Sequence, residues 1–376
     1  MRLVALAVFL AVALAQPPDL SLRVLLQETP SAQVTLSHYR RITAGGQQAF
    51  PGGTVELAQS GGSVLVDGQN VGPWAELAGD GFALGGKPYR GSLLAVAQNG
   101  RLLLINRVWL EDYLLGVVPA EVPRSFPSAV LQAQAILART FALYRLNPDG
   151  LYDLCADERC QVYGGRGLET PEHTAAVQAT RTLIVSFANQ PITAVYHADS
   201  GGYTAAAEEV WGRTVPYLLS RPDPLSQSPR SPWAITLSPQ AVAQRLLAQG
   251  ASVGEVMGLE ALSYSDSGRP TRIRVRGSLR TVELAGAEAT RFLRALGLPS
   301  TRISISGWQV SGRGAGHGVG MSQWGARGFA LQGWDFRQIL GYYYPGTFLS
   351  GFDVVTGLHD KLLAMGYPLE PVAVQP

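Results

Sequence analysis

Along residues 127–145 apolar side chains recur at helical spacing almost without interruption. Val130, Ala133, Leu137, Phe141 and Tyr144 form one stripe, Leu131, Ala135, Ala138 and Ala142 cover much of the rest, and Arg139 and Arg145 carry the charge. A helix that is apolar nearly all round belongs in a core, and Pro127 suits its start. Residues 109–118 predict a shorter helix just before it. Between the two, Pro119 and Pro123 bracket Glu121. Proline fixes φ and interrupts regular structure, so the pattern predicts a stiff, irregular turn that holds one carboxyl against a buried helix.

Elsewhere the period shortens. Residues 22–26, 33–36, 63–66 and 93–105 read as strands, punctuated by Gly45-Gly46, Pro51-Gly52-Gly53, Gly61-Gly62 and Gly85-Gly86. Asn99-Gly100 between two apolar runs predicts a tight hairpin. Residues 171–181 predict a helix, and 182–198 predict two strands across a turn at Asn189-Gln190. Residues 215–233 hold five prolines and mark a loop or boundary. Beyond them Ser238 can cap a helix over 240–248, a hairpin turns near Ser267-Gly268, and 285–295 form another helix. Strands come in runs and do not alternate with helices, so the expected class is α+β.

Composition narrows the function. Thirty basic residues against 28 acidic ones leave a formal net charge of +2, with no basic run, which gives nucleic acid no footprint. At the N-terminus Arg2 precedes an apolar run over residues 3–14, too short to span a bilayer comfortably, and Ala13-Leu14-Ala15 is a small-x-small cleavage site. Residues 1–15 are therefore expected to be a signal peptide and the chain to be exported, to the periplasm or cell envelope. Cys155 and Cys160 are the two cysteines. In an exported protein a local disulfide is the simplest outcome. Free thiols and a metal site are the alternatives, but no histidine lies between Leu151 and Gln161, and two thiolates do not complete a tetrahedral site.

Four segments carry a resemblance. LEDYLLGVVPAEVPRSFPSAVLQAQAILARTFALY contains Glu121; CQVYG starts at Cys160; HADSGGYT starts at His197; GRGAGHGVGMSQWGA starts at Gly312. Their wording and order resemble the SpoIID/LytB family of bacterial cell-wall proteins, over roughly two thirds of the chain. Val122 stands where that family usually has Met. The resemblance implies a SpoIID-like core over residues 91–350, with a β-rich region over 16–90. A helix-plus-hairpin segment over 233–300 would be inserted as a possible subdomain, and 351–376 would be a C-terminal tail.

The resemblance also implies a reaction. Glycoside cleavage usually needs two carboxylates, and these motifs offer one prominent acid. A lytic transglycosylase escapes that requirement, because the 6-hydroxyl of muramic acid attacks C1 and closes a 1,6-anhydro ring. One glutamate can protonate the leaving oxygen and then deprotonate the 6-hydroxyl, given a pKa raised by apolar surroundings. The resemblance assigns that role to Glu121. Arg139, Gln161, Tyr163, His197, Ser200, Gly201, Gly202, Trp211, His317, Gln323 and Trp324 are the expected substrate wall, with Gln161, Ser200 and His317 lining the groove of Glu121. The expected partner is the peptidoglycan glycan strand, with no cofactor and no metal. The alternative is a non-catalytic module that binds glycan and enhances a cell-wall amidase. The glycines of 312–316 lack the lysine of a phosphate loop, and no G-x-S-x-G occurs to support a serine hydrolase.

Overall fold

The computed structural model describes residues 19–369; the expected signal peptide lies outside them. The architecture is α+β. The N-terminal part is two sheets that share one core. The first runs in the order Leu154–Cys155, Ser21–Thr29, Arg101–Trp109, Ser92–Gln98, Trp74–Gly79, Tyr39–Thr43 and Gly46–Phe50. The second runs Lys87–Tyr89, Phe82–Leu84, Ser31–Leu36, Gly53–Ser60, Ser63–Val66 and Gln69–Asn70. Alternate residues of both, such as Val24, Val34, Leu57, Val64, Leu77 and Leu93, point into that core. The Ser92–Gln98 and Arg101–Trp109 strands pair in register down to Gln98↔Arg101. Asn99 and Gly100 turn the chain there with φ of 50° and 75°, the left-handed pair a two-residue hairpin requires.

Strand Arg101–Trp109 runs directly into helix α1 (Leu110–Glu121), which is followed by α2 (Ser128–Tyr144). The turn expected at Glu121 is corrected here: α1 continues through Pro119 and Glu121 is its last residue. A proline in the final turn forfeits only the bond to the carbonyl four residues back, and Val122 N–H still closes the helix on Val118 O at 3.1 Å. Helix α2 touches α1, α3 (Pro171–Ala179), the strand Leu183–Phe187 and two later helices. Neighbours on so many sides explain why it is apolar nearly all round. Its stripe leaves the core at the C-terminal end, where Tyr144 is exposed.

A second core lies apart from the first. Leu237, Val242, Leu246, Val275, Phe292, Leu293 and Val310 belong to it. It is built from α5 (Pro239–Ala248), α6 (Gly286–Ala295) and two three-stranded sheets, one of which pairs Trp233–Thr236 with Gln309–Gly312. That pairing carries the inserted unit on to Gly312, past the boundary expected at residue 300. Ser238 caps α5 through Ala241 N–H at 3.1 Å. The unit is fastened to the main body around α4 (Ala207–Trp211): Ser265 and Ser267 donate to the Glu209 carboxylate, and Thr290 donates to Glu209 O.

Residues 351–376 were expected to be a tail, of which 351–369 are described. Instead Phe352, Val355, Leu358, Leu362 and Tyr367 are buried in the first core. The strand Phe348–Gly351 brings them there by pairing with Leu183–Phe187. The spacing of these apolar residues is too irregular to announce an element.

Candidate functional site

Glu121 sits at the C-terminal end of α1 on the wall of an open cavity of about 580 Å³. Phe141, Glu158, Arg159, Gln161, Tyr196, Trp211 and His317 share that wall. Burial pushes the Glu121 carboxyl above the usual carboxylate range, against hydrogen bonds from the Tyr196 hydroxyl and the Val162 N–H that favour the charged form. A helix C-terminus also disfavours negative charge. The result is a carboxyl that can hold a proton in a setting where its anion is still hydrogen-bonded.

A directed chain of hydrogen bonds ends on Glu121. Tyr113 donates to Gln161 Oε1 at 3.3 Å, and Gln161 Nε2 donates to the Tyr196 hydroxyl at 3.3 Å. The Tyr196 proton is thereby left for Glu121. Gln161 and Val162 are held over α1 by their neighbours. The Tyr163 hydroxyl donates to Asn106 Oδ1 at 3.1 Å, its ring lies 4.9 Å from that of Tyr113, and Gly164 N–H bonds Gly116 O at 3.0 Å. Gly116 permits this approach, because a Cβ there would come within 2.6 Å of the Tyr163 ring. Cys155 and Cys160 are joined in a disulfide, with Cα atoms 5.5 Å apart, which closes the loop that carries Glu158 and Arg159 into the wall.

The far wall is a cluster of tilted rings. The His317 ring lies 5.5 Å from that of His197 and 5.5 Å from that of Trp211, centroid to centroid. Its Nδ1 accepts from Val319 N–H at 3.0 Å, and the ring also bonds the backbone of Tyr196. Burial first, then Arg294, push its pKa down to about 4. His317 is therefore a neutral strut in the cavity wall. His197, fully enclosed behind it, bonds Val319 O through Nδ1 at 3.1 Å, and burial and then His317 hold its pKa well below the usual range.

Several residues expected in the substrate wall are elsewhere. Arg139 is buried inside α2, paired with Glu111 at 2.7 Å and bonded to the Leu183 and Val177 carbonyls, so all its donors face protein. Tyr163 is the buried anchor just described. Ser200 does not line the cavity: its hydroxyl donates to Asp223 at 2.8 Å, inside a closed polar network with Asp199, Ser226 and Ser322. Gly201 and Gly202 adopt φ of 73° and 104° and abut Arg313 and Arg302. Gln323 reaches back to Gln134 at 3.3 Å, and Trp324 packs edge-on against Phe126 at 5.2 Å. These motif residues hold the framework together through contacts with protein.

Tyr196, Val162 and Glu158 were not singled out from sequence. Tyr196 could have been: it precedes His197 in the strand Tyr196–His197, and alternation sends the two side chains to opposite faces. With His197 inward, Tyr196 faces Glu121.

The chain is similar to known proteins along most of its length. The family model described as "Stage II sporulation protein" matches residues 98–187, which span α1, α2, the disulfide loop and α3. An uncharacterised protein of Brachyspira hyodysenteriae is 31% identical over 280 residues, covering 73% of this chain and 76% of its own. The amidase enhancer of Bacillus subtilis is 28% identical over 291 residues, covering 64% of this chain and 40% of its own. Stage II sporulation protein D of Bacillus subtilis is 32% identical over 275 residues, covering 66% of this chain and 76% of its own. On this similarity over three quarters of two relatives, and on a family match centred on the helix pair that carries Glu121, the chain belongs to the SpoIID family.

Proposed function

We propose that this protein is an envelope enzyme that cleaves peptidoglycan glycan strands as a lytic transglycosylase, with Glu121 as its single general acid and base. The observation that carries this reading is the Glu121 carboxyl itself, on an open cavity wall with its pKa raised by burial. In the first half-step protonated Glu121 gives its proton to the glycosidic oxygen as the bond from C1 breaks. In the second, the Glu121 carboxylate takes the proton of the muramic 6-hydroxyl as that oxygen bonds to C1. The acid is regenerated, and no water is consumed. The Tyr196 hydroxyl and Val162 N–H stabilise the carboxylate between the half-steps, and general acid–base assistance of this kind is worth about 10²- to 10⁴-fold. Trp211, braced by His317, supplies an aromatic wall for sugar rings.

Glu158 supplies a second carboxylate to the cavity wall, on the exposed loop closed by the disulfide. An ordinary glycosidase would use such a pair and add water. Mass spectrometry of the products separates the two reactions, since an anhydro end is lighter than a hydrolysed end by one water. Hydrolysed ends alone would overturn the transglycosylase reading. The similarity to an amidase enhancer favours a second reading, in which the same groove binds glycan without cleaving it and delivers an amidase partner to the strand. That reading predicts strand binding with no cleavage and stimulation of an added amidase.

A further inference from the structure

A second cavity, of about 490 Å³, opens on the inserted unit. Its floor is the hairpin Ile303–Ser306 and Gln309–Gly312, with Ile303 opposite Gly312 and Ser304 opposite Ser311. Strand alternation puts Ile303 into the second core and leaves Ser304, Ser311 and the next pair out, Arg302 and Arg313, on the other face. Arg313 N–H bonds Arg302 O at 3.0 Å, so the two arginines are cross-strand neighbours. Like charges directly opposite one another are destabilising. No acidic residue lines the cavity, and among the described residues neither arginine forms an ion pair. Asp199, the acid that acts on Arg302 from a distance, already accepts from Gly201 N–H, Ser226 Oγ and Ser228 N–H.

Arg302 spends two of its donors on the carbonyls of Ser267 and Gly201. A guanidinium has five, and the Arg313 guanidinium spends none of its own on the described residues. Tyr264, 47% exposed, forms one side of the opening. Burial and the Arg313 charge both hold the Arg302 pKa below its usual value, as expected of a cation pair that lacks a counter-ion. The face thus presents two guanidinium groups, two hydroxyls and an aromatic ring, the equipment for a planar anion carried on a sugar or peptide.

The cavity is tied to the Glu121 groove. Asp199 and Ala315 exchange backbone hydrogen bonds at 3.0 and 2.8 Å, with Gly201 and Arg313 at one end of this ribbon and His197 and His317 at the other. Three residues separate Arg313 from His317, four positions along the chain, so their backbones are at most about 14 Å apart. A polymer in the groove can reach the arginines.

We propose that Arg302 and Arg313 form a subsite for a carboxylate of the same wall polymer that occupies the Glu121 groove. The proposal rests on the reading that this groove binds glycan strands. The carboxylate has two sources on that polymer: the lactyl group of a muramic acid without its stem peptide, or a carboxylate of the stem peptide.

The test is strand binding by wild type, Arg313→Gln and Arg313→Lys, using three probes: purified denuded strands, the same strands with their carboxylates amidated, and peptide-bearing strands. Arg313 is chosen because Arg302 also holds the junction between the units. Binding of the amidated strands reports the groove alone and should be equal in all three proteins. Wild type should bind a carboxylate-bearing strand about tenfold more tightly than the amidated one, a gain that Arg313→Gln loses and Arg313→Lys partly keeps. A gain with denuded strands identifies the lactyl carboxylate, and a gain confined to peptide-bearing strands identifies the stem. Wild type binding charged and amidated strands equally overturns the subsite and leaves the groove reading standing. Failure of wild type to bind any strand overturns both.

Discussion

Replacing Tyr196 by Phe removes one hydroxyl and keeps the ring. The hydroxyl donates to the Glu121 carboxyl and accepts from Gln161 Nε2. A hydrogen bond to a charged group is worth about 1.5–3 kcal/mol, and one pKa unit corresponds to about 1.4 kcal/mol. Its loss should raise the Glu121 pKa by about 1–2 units, on top of the rise that burial already causes. A carboxyl whose folded pKa lies above its unfolded value contributes stability below the unfolded value and loses it as pH rises through the folded value. In Tyr196→Phe that window extends upward by the same 1–2 units. The orphaned Gln161 amide adds a pH-independent cost of about 1–3 kcal/mol. The assay is ¹³C NMR titration of the glutamate carboxyl carbons in wild type and variant, with Glu121→Gln to assign the resonance. The alkaline limb of the strand-cleavage profile should move with it. An unchanged or lowered Glu121 midpoint in Tyr196→Phe would refute the hydrogen-bond chain as the tuning device.

Gly116→Ala should destabilise by about 1–3 kcal/mol through overpacking against the Tyr163 ring, more than the helix propensity of up to ~1 kcal/mol that alanine returns; thermal unfolding measures the first, and weakened strand binding reports displacement of Gln161. Arg139→Ala should cost about 3–5 kcal/mol, because Glu111 is left as an uncompensated charge at a largely buried position, while strand affinity per folded molecule stays unchanged; a selective loss of affinity would return Arg139 to the substrate wall. Cys155→Ser with Cys160→Ser should lower stability by about 2 kcal/mol, as expected for so short a loop, and should weaken strand binding more than denaturant midpoints suggest, since that loop forms part of the cavity wall.

Strong local signals in the chain led to the right elements. Asn99-Gly100, the apolar run of α2, Pro171 and the Ser238 cap each state a conformation through a few adjacent residues, and the α+β class follows from their order. The polar strands Tyr39–Thr43 and Gly46–Phe50, the last two of their sheet, escaped because few of their residues are buried, so no apolar alternation marks them. Pro119 suggested a helix end three residues too early, because the last turn tolerates what the middle of a helix does not. At the site, sequence brought Glu121, Gln161, Trp211 and His317 to one cavity wall. It could not separate them from Arg139, Tyr163 and Ser200, which belong to equally distinctive phrases but face protein. Which side of a motif meets solvent is decided by contacts far away in sequence, such as Ser200 with Asp223 or Arg139 with Glu111.

The central claim is that Glu121 performs both proton transfers of an intramolecular cleavage. Purified denuded glycan strands incubated with wild type and with Glu121→Gln, followed by mass analysis and counting of anhydro-muramic ends, test it most directly. The amide is nearly isosteric but cannot donate and recover a proton at neutral pH. Wild type should release anhydro-terminated products, and Glu121→Gln should bind the strands and release at least about 10²- to 10⁴-fold less. Equal anhydro product from both proteins, or no product from wild type despite strand binding, would contradict the account.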